Sequence, residues 1–388
     1  MHVDETVKAL SRFGRSITVM SYPKTSAAAV LTKYNEPVEV HEVAIPELEP
    51  DAILVRVEVS TVCGTDVHIY EGDFQHVFSK LPLIMGHEIV GRIAALGRNR
   101  RRDATGQALH EGDLVAWSYA WCGTCYYCNV VKQPTLCRDA RMYGYGPLTE
   151  PPHLTGGFAE YCYILPRCGV VKVPDKLDPA TAASGTCALR TVVHGYEKIG
   201  ALSAYDTVLI QGSGPIGLYA LAYAVQAGVA RVICIGAPWS RLAIARKWGA
   251  NDLFSIEETS AEQRREAILK LTDGRGADLV IECSGFGIAL AEGIELVRPG
   301  GRYLVIGQSD PRPAQIRGTY LNHRQLTVMG VNSAEIGHYY KALKFLSDHQ
   351  DRFSFADLLG QRYSLSHVNE ALCAMKEMRE TKPIIVPS

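Results

Sequence analysis

The sequence predicts an α/β protein in which a doubly wound parallel sheet forms one of two domains. The chain has 388 residues, of which 47% are hydrophobic, so it is long enough to bury two cores. From about residue 205, short apolar segments alternate with helical patterns, as in a parallel sheet that is covered by helices. A glycine-rich turn joins the first of these segments to a helix, which is the third observation in favour of this fold.

The apolar segments of the second half are typical of buried parallel strands. The first of them, "DTVLIQ" at 206–211, leads directly into "GSGPIG" and then into the helical pattern "LYALAYAVQAG". Further strands are predicted at 231–236, 277–285, 301–307 and 326–331, with helical segments between them. This order of strands and helices predicts the doubly wound sheet.

The turn after the first strand has the spacing of a dinucleotide-binding fingerprint, G-x-G-x-x-G. Its residues are Gly212, Gly214, Pro215, Ile216 and Gly217. Glycines at these positions let the backbone turn tightly and approach a pyrophosphate at the N-terminus of the following helix. The motif alone is weakly specific, but here it lies between a strand and a helix, as a dinucleotide site requires.

The end of the second strand bears on the choice between NAD and NADP. An acidic residue there would accept a hydrogen bond from the ribose 2'-hydroxyl and repel a 2'-phosphate. The chain has Gly236 instead and continues with "APWSR", so the missing acid weakly favours NADP over NAD. Arg241 is the nearest cation and could meet a 2'-phosphate. Alternatively, it is a solvent-exposed residue in the first turn of a helix that Ser240 caps.

The composition and charge of the chain argue against several classes of partner. Lys plus Arg (40) and Asp plus Glu (41) nearly cancel, so no nucleic acid is expected as a partner. The sequence has no apolar run long enough to span a membrane, and its first residues lack the apolar core of a signal peptide. We therefore expect a cytoplasmic protein without membrane contact. The N-terminal segment has a short amphipathic helical pattern, with apolar residues at Val3, Val7, Leu10 and Ile17.

Four of the 11 cysteines lie within "CGTCYYCNVVKQPTLC", with the spacing Cys122-x2-Cys125-x2-Cys128-x8-Cys137. Disulfides are disfavoured in a reducing compartment, whereas four thiolates at these intervals can converge on one tetrahedral ion. Such a set leaves no open coordination position and therefore predicts a structural zinc. A redox pair formed by one C-x-x-C is the alternative.

Three further candidate ligands are far apart in the sequence. Cys63 lies in "STVCGTDVH", His87 in "LPLIMGHEIVG" and Cys187 in "ASGTCALRT". Two cysteines and one histidine, with water or substrate in the fourth position, form a catalytic zinc arrangement. Taken alone, Cys187 is more typical of a packed small residue and His87 fits a core histidine equally well. Their occurrence together with a dinucleotide turn favours the metal site.

The motifs "VCGTDVH", "GHEIVG", the four-cysteine segment and "GSGPIG" resemble those of the zinc-dependent alcohol dehydrogenases of the medium-chain dehydrogenase/reductase superfamily. They occur in the family's order, and the resemblance covers roughly residues 28 to 388. It implies a GroES-like β-rich catalytic domain around a Rossmann coenzyme domain. The catalytic domain would comprise 1–188 and 334–388, with the structural zinc lobe at 115–140, and the coenzyme domain would be 189–333.

The resemblance also implies roles for individual residues and two zinc ions per subunit. Cys63, His87 and Cys187 would bind the catalytic zinc, and Cys122, Cys125, Cys128 and Cys137 the structural zinc. The other implied roles are a proton relay for Thr65 and His68, orientation of the imidazole for Asp66, a place near the metal for Glu88, and a cofactor contact for Thr191. The family often has a basic residue near the C-terminus for the cofactor pyrophosphate, and Lys382 is the candidate.

The resemblance implies reversible hydride transfer between a primary or secondary alcohol, including cyclic and hydrophobic ones, and NAD(P). A polyol, sugar or amino-alcohol dehydrogenase of the same superfamily is the nearest alternative. A protein that binds NAD(P) or senses redox state without turnover is an alternative of another class. Phe74, Trp117 and Tyr143 are pocket candidates, although each also fits a core position. Relatives in the family imply a homodimer or homotetramer.

Overall fold

The computed structural model describes residues 22–73, 80–307 and 313–387. Phe74 and the N-terminal amphipathic pattern lie outside the described residues. No helix within the described ranges has the length and apolar character needed to cross a membrane.

The first half of the chain and its C-terminus form a three-stranded and a seven-stranded sheet, both rich in antiparallel strands. Their strands are β1 (Thr25–Leu31), β2 (Glu39–Ala44), β3 (Ile53–Thr61), β4 (Leu83–Ile84), β5 (Glu88–Leu96), β6 (Leu114–Trp117), β7 (Tyr161–Ile164), β8 (Val170–Lys172), β15 (Arg362–Tyr363) and β16 (Ile384–Ile385). One sheet has the order β2-β1-β4 and the other β15-β16-β3-β5-β6-β8, with β7 paired to β3. The C-terminal strand β16 therefore packs beside β3, although the two are distant in sequence.

The second half forms a six-stranded parallel sheet. Its strands are β9 (Thr207–Gln211), β10 (Arg231–Gly236), β11 (Asp252–Ser255), β12 (Ala277–Glu282), β13 (Val297–Val305) and β14 (Thr327–Gly330), in the order β11-β10-β9-β12-β13-β14. This order confirms the predicted doubly wound sheet. The strands run outward from the centre in both directions, so the order of connection changes direction between β9 and β12. The sequence prediction omitted β11, because this short edge strand is mostly half-buried and has no continuous apolar run.

Both faces of the parallel sheet are covered, which explains the nearly continuous apolar strands. Val208 and Ile210 pack into one core cluster, whereas Leu209, Ile233 and Val280 pack into the cluster on the other face. The helices are α1 (Gly64–Glu71), α2 (Tyr126–Asn129), α3 (Pro179–Ser184), α4 (Arg190–Ile199), α5 (Pro215–Ala227), α6 (Trp239–Lys247), α7 (Ala261–Leu271), α8 (Gly287–Leu296), α9 (Gly318–His323), α10 (Ile336–His349) and α11 (Val368–Lys376). Short 3₁₀ turns lie at Pro134–Leu136, Phe355–Leu358 and Leu365–His367.

A continuous helical segment connects the two halves. It starts at α3, where Asp178 caps the first turn and Pro179 occupies the first position, and it continues through a π-helical turn (Gly185–Leu189) into α4. The predicted domain boundary at 188/189 falls inside this segment. The boundary at 333/334 falls between β14 and α10. A π-helical turn often marks a functional position, and this one contains Cys187.

Candidate active site

Cys63, His87 and Cys187 come from three elements that the fold brings to one point. In the antiparallel pair of β3 and β5, Thr61 at the end of β3 lies opposite Glu88 at the start of β5. The segment that follows β3 therefore lies close to the residue that precedes β5. Cys63 precedes α1, His87 precedes β5, and Cys187 lies in the π-helical turn. The donor atoms of these three residues and of Glu88 all lie within 4.8 Å of one another.

Asp66 holds the first ligand segment in place and faces the imidazole. As the third residue of α1, it forms a capping box in which its Oδ2 accepts the Cys63 N–H at 2.8 Å. Its Oδ1 accepts the Gly86 N–H at 3.2 Å and lies 3.3 Å from His87 Nδ1. The carboxylate therefore faces the Nδ1 side of the ring, the side on which the family resemblance places it, although the 3.3 Å contact does not meet hydrogen-bond geometry.

The donor set fits a metal ion. Both side chains of the Asp66–His87 pair are fully buried, and His87 Nε2 has no hydrogen-bond partner among the described residues. A hydrogen bond between the thiols of Cys63 and Cys187 holds the pKa of Cys63 well below its ordinary value and raises the pKa of Cys187. Two thiols and an imidazole nitrogen that lie within 4.8 Å of one another are suited to a cation that takes the place of the thiol protons.

Glu88 does not stand free beside the ligands. The ammonium of Lys382 donates to both carboxylate oxygens, and the Thr61 hydroxyl donates to one of them. Both Glu88 and Lys382 are completely buried. Burial raises the pKa of Glu88 to about 7, and Lys382 opposes this increase. The suggestion that Lys382 contacts the cofactor pyrophosphate is wrong in this structure, because the ammonium is bound to Glu88.

The ligand cluster and the dinucleotide turn open onto one cavity of about 690 Å³. The predicted site residues that line it are Cys63, Thr65, His68, Cys187, Thr191, Gly214, Pro215 and Ile216. Thr65 Oγ1 lies 3.8 Å from Cys63 Sγ, and His68 Nδ1 lies 2.7 Å from Asp73 Oδ2. Thr191 Oγ1 donates to the Cys187 carbonyl at 2.8 Å. Thr65 and His68 thus lie at the same cavity as Cys63 and Cys187.

The glycine-rich turn has the close packing that its spacing predicts. Gly212 has a φ of 105°, and a Cβ at Gly217 would lie 1.8 Å from the Gly212 carbonyl oxygen. A Cβ at Gly214 would meet nothing within 4 Å. The turn is therefore tight on its inner side and open at the N-terminus of α5, where a pyrophosphate would approach.

The end of β10 has no room for an acidic residue. A Cβ at Gly236 would lie 2.4 Å from Ser213 Oγ. Arg241 is buried, with its Nη2 3.4 Å from the Glu380 carbonyl oxygen and its Nε unpaired among the described residues. The interpretation of Arg241 as a solvent-exposed residue is therefore wrong. Ser240 does not cap α6, because the cap residue is Pro238 and the helix begins at Trp239.

Different aromatic residues line the cavity from those suggested by the sequence. Trp117 and Tyr143 pack edge to face in the core with ring centroids 5.7 Å apart, and neither lines this cavity. Tyr119, Trp121 and Tyr145 line it instead. The Arg190 side chain also lines it and is almost fully buried. The sequence contained no periodic or motif signal for these residues, because the three aromatic residues lie in loops and Arg190 begins α4, and only the fold brings them together.

The four cysteines of the lobe also converge. Their sulfurs all lie within 4.8 Å of one another, with 3.9 Å between Cys122 and Cys128 and between Cys125 and Cys137. Backbone N–H groups of Thr124 and Cys125 lower the pKa of the Cys122 thiol to about 6, which favours the thiolate that binds metal. All 11 cysteines are free thiols, so this structure provides no redox pair of the C-x-x-C type in disulfide form.

Comparisons with known proteins agree with this geometry. Residues 49–175 match the family description "Alcohol dehydrogenase GroES-like domain", and residues 215–348 match "Zinc-binding dehydrogenase". The chain is 34% identical to 5-exo-hydroxycamphor dehydrogenase of Pseudomonas putida, over 92% of this chain and 98% of that protein. It is 30% identical to L-threonine 3-dehydrogenase of Bacillus velezensis, over 89% and 94%.

A solved structure gives the same result at the level of the fold. An alcohol dehydrogenase from Thermotoga maritima superposes with a TM-score of 0.88 and 35% identity, covering 94% of this chain and all of that one. The prediction of a GroES-like domain with a Rossmann coenzyme domain is confirmed, as is that of an NAD(P)-linked dehydrogenase acting on alcohols. The chain belongs to the zinc-dependent medium-chain dehydrogenase/reductase family.

Proposed function

We propose that this enzyme transfers hydride reversibly between a primary or secondary alcohol, including cyclic and hydrophobic ones, and a nicotinamide cofactor held at Gly212–Gly217. The observation that carries this proposal is the shared cavity, onto which both the Cys63–His87–Cys187 cluster and the dinucleotide turn open. An alcohol carbon and a nicotinamide can be next to each other only if their binding sites are continuous.

Cys63, His87 and Cys187 would hold the catalytic zinc. The convergence of their donor atoms within 4.8 Å supports this assignment, as does the buried Nε2 of His87, which has no hydrogen-bond partner among the described residues. When bound, the ion supplies a Lewis acid that makes the alcohol more acidic and, in the reverse direction, polarises a carbonyl. Asp66 orients the imidazole through Nδ1. The four cysteines of the lobe would hold a second, structural zinc.

Thr65 and His68 would carry the proton away from the alcohol. Thr65 has its hydroxyl beside the Cys63 sulfur, where it can accept the alcohol proton, and His68 lies one turn later on α1 at the same cavity. Asp73 Oδ2 lies 2.7 Å from His68 Nδ1 and holds the imidazole at the cavity, where its ring can exchange a proton. Thr191, fixed to the Cys187 carbonyl, would contact the cofactor.

NADP is our proposed cofactor over NAD. The argument rests on Gly236, where an acidic side chain that would select NAD cannot fit beside Ser213. Arg241 contributes little to this argument, because its guanidinium is buried against the Glu380 carbonyl.

A cytoplasmic homodimer or homotetramer is proposed as the assembly. β14 is an edge strand of the parallel sheet, and Val328 on it is 44% exposed, so this edge can pair with a second copy. The free thiols and the two cysteine clusters with metal geometry support a reducing compartment. Light scattering of the purified protein would report the assembly.

The decisive experiment is a cofactor-reduction assay over a panel of alcohols, run separately with NAD and NADP on protein whose zinc content has been measured. The proposal expects two zinc ions per subunit and activity on simple alcohols. Activity on polyols, sugars or amino alcohols alone would favour the alternative within the superfamily. Protein with both zinc ions and no activity on any alcohol would instead indicate a binding or sensing protein.

A further inference from the structure

The cavity beside the metal ligands has an unusual balance of charge. Among the described residues that line it there are Lys80, Arg138, Arg190 and Lys382, but no aspartate or glutamate. Lys382 is neutralised from behind by Glu88. Arg138 lies at the surface over the Tyr127 ring. Arg190 is different from these, because it is both deep in the structure and without an acidic partner.

Arg190 is a buried cation held only by neutral groups. Its exposed fraction is 2%, and its Nε donates to the Thr186 carbonyl at 2.8 Å. Its Nη1 donates to Ser333 Oγ at 2.9 Å and its Nη2 to the Tyr119 hydroxyl at 3.4 Å. The guanidinium lies 5.2 Å from the ring centroids of both Tyr119 and Tyr339. No carboxylate in the described part of the chain pairs with it.

This arrangement leaves a charge and two donors without a counterpart. A guanidinium has five N–H groups, and three of them are used in these hydrogen bonds. Burial of an ionised group without an opposite charge is costly, and proteins normally pair such groups. Two tyrosine faces offset part of the cost through cation–π attraction. An anion that enters the cavity would provide the missing charge.

The position of Arg190 relates that anion to the substrate. Arg190 follows Cys187 by one helical turn and lines the same cavity. Its partner Tyr119 is 6.4 Å from the Tyr145 ring, which is 5.4 Å from the His87 ring. Arg190 therefore belongs to the wall that surrounds the metal-ligand cluster. The dinucleotide phosphates are expected elsewhere, at the open N-terminus of α5.

We propose that Arg190 binds a carboxylate on the substrate, so that the enzyme prefers hydroxy acids over neutral alcohols of the same size. The planar guanidinium, with two N–H groups unused, matches the two oxygens of a carboxylate. The inference rests on the proposed alcohol dehydrogenase function and specifies its substrate class. Arg190 would determine specificity and take no part in the hydride or proton transfer.

The first test uses the wild-type enzyme and pairs of alcohols that differ in charge alone. The pairs are 3-hydroxybutanoate with 3-hydroxybutanamide and 6-hydroxyheptanoate with 6-hydroxyheptanamide. Since hydrogen bonds to charged groups are among the stronger ones, kcat/KM should be about 10-fold to 100-fold higher for the acid at one chain length or both. Equal values within about twofold at both lengths, or a preference for the amides, would overturn the proposal.

The second test uses Arg190→Gln and Arg190→Lys. The ratio of kcat/KM for acid over amide should fall toward one in the first variant and be partly retained in the second, which keeps the charge. Arg352→Gln is the control, because Arg352 bonds Gln226 outside this cavity, and its ratio should stay at the wild-type value. If Arg190 only positions Ser333 beside the cofactor, the KM for the cofactor will change and the acid-to-amide ratio will not. That result would contradict the proposal.

A binding measurement separates this inference from the proposed function. Calorimetry with pentanoate and pentanamide, neither of which can be oxidised at a hydroxyl, reports recognition of the carboxylate without turnover. Preferential binding of pentanoate that Arg190→Gln abolishes supports the anion site even if no alcohol is oxidised. Equal binding of the two compounds to wild-type protein would count against the anion site, whether or not the enzyme oxidises alcohols.

Discussion

The two cysteine-containing clusters of this enzyme are built in opposite ways. The ligands of the lobe lie between Cys122 and Cys137, on a surface loop in which three of the four cysteines are half-buried. The proposed ligands at the active site come from positions 63, 87 and 187 and lie beside the buried charged groups of Asp66, Glu88 and Lys382. One cluster therefore depends on a local loop, whereas the other depends on the pairing of β3 with β5 and on the helical segment between the two halves.

The difference teaches what each cluster can do. Four thiolates close the coordination of a tetrahedral ion, so the lobe can hold its loop but offers no place for a substrate. Two sulfurs and one nitrogen leave a position open toward the cavity. The supporting residues differ accordingly, because the active site has Asp66 and the Glu88–Lys382 pair, while the lobe uses backbone N–H groups.

The largest effect should come from removing one ligand of the open cluster. We expect Cys187→Ala to lower kcat/KM by about 10³-fold, since the metal supplies several kcal/mol of stabilisation to the transition state. Zinc analysis should find one ion per subunit in place of two. Steady-state kinetics with the best substrate of the panel, together with mass spectrometry of the metal content, would measure both.

Cys125→Ser in the lobe is the matched control. It should also lose one zinc, but the remaining ion should be the catalytic one, and turnover at low temperature should remain within a few-fold of wild type. If this variant loses activity as completely as Cys187→Ala, the distinction between a structural and a catalytic cluster is wrong.

The next effect concerns the buried ion pair behind the active site. Lys382→Met would leave the Glu88 carboxylate buried without its partner, and we expect a loss of about 3–5 kcal/mol in the free energy of unfolding. Urea denaturation would measure it, and Glu88→Gln combined with Lys382→Met should recover part of the loss. The exposed pair of Lys344 and Asp348 is the comparison, because Lys344→Met should cost less than about 1 kcal/mol. Equal losses in the two lysine variants would show that burial does not increase the contribution of an ion pair to the free energy of unfolding.

A smaller effect is expected from the carboxylate that orients His87. Asp66→Asn keeps the shape of the side chain but removes its charge, and such changes cost about 10-fold to 100-fold in metal affinity. Competition with a chelator would measure the release of the first zinc. Asp113→Asn, which removes the partner of Lys172 outside the cavity, should leave both ions in place. If the zinc of the lobe is released before the active-site zinc in Asp66→Asn, the proposal that Asp66 orients His87 for metal binding would be contradicted.

The contrast between the clusters also explains what could be predicted from the sequence. The lobe was predictable because its spacing is local, and the doubly wound sheet because its strands carry continuous apolar segments. Cys63, His87 and Cys187 were grouped by the chemistry of their side chains, by their occurrence with a dinucleotide turn and by the family resemblance, since neither spacing nor periodicity links them. Lys382 was assigned to the wrong partner because its contact with Glu88 spans 294 positions of the sequence. Arg190 and Tyr119 gave no signal, because one begins a helix and the other lies in a loop, and no spacing or periodicity links them.

The smallest effect is expected at His68 and concerns proton release. The active-site cluster is open and exchanges protons with solvent, whereas the closed lobe does not. If His68 passes the alcohol proton outward, His68→Gln should slow turnover mainly at low pH, where direct release to solvent is least favourable. We expect kcat to fall by about 10-fold, which is less than the loss of a direct general base would cause, because Thr65 remains in place. His367→Gln, which changes an exposed histidine bonded to Ser364, is the control. A pH–rate profile of His68→Gln that coincides with wild type would remove His68 from the relay. The proton would then have to leave by a path that does not use α1, while the metal-ligand assignments would be unaffected.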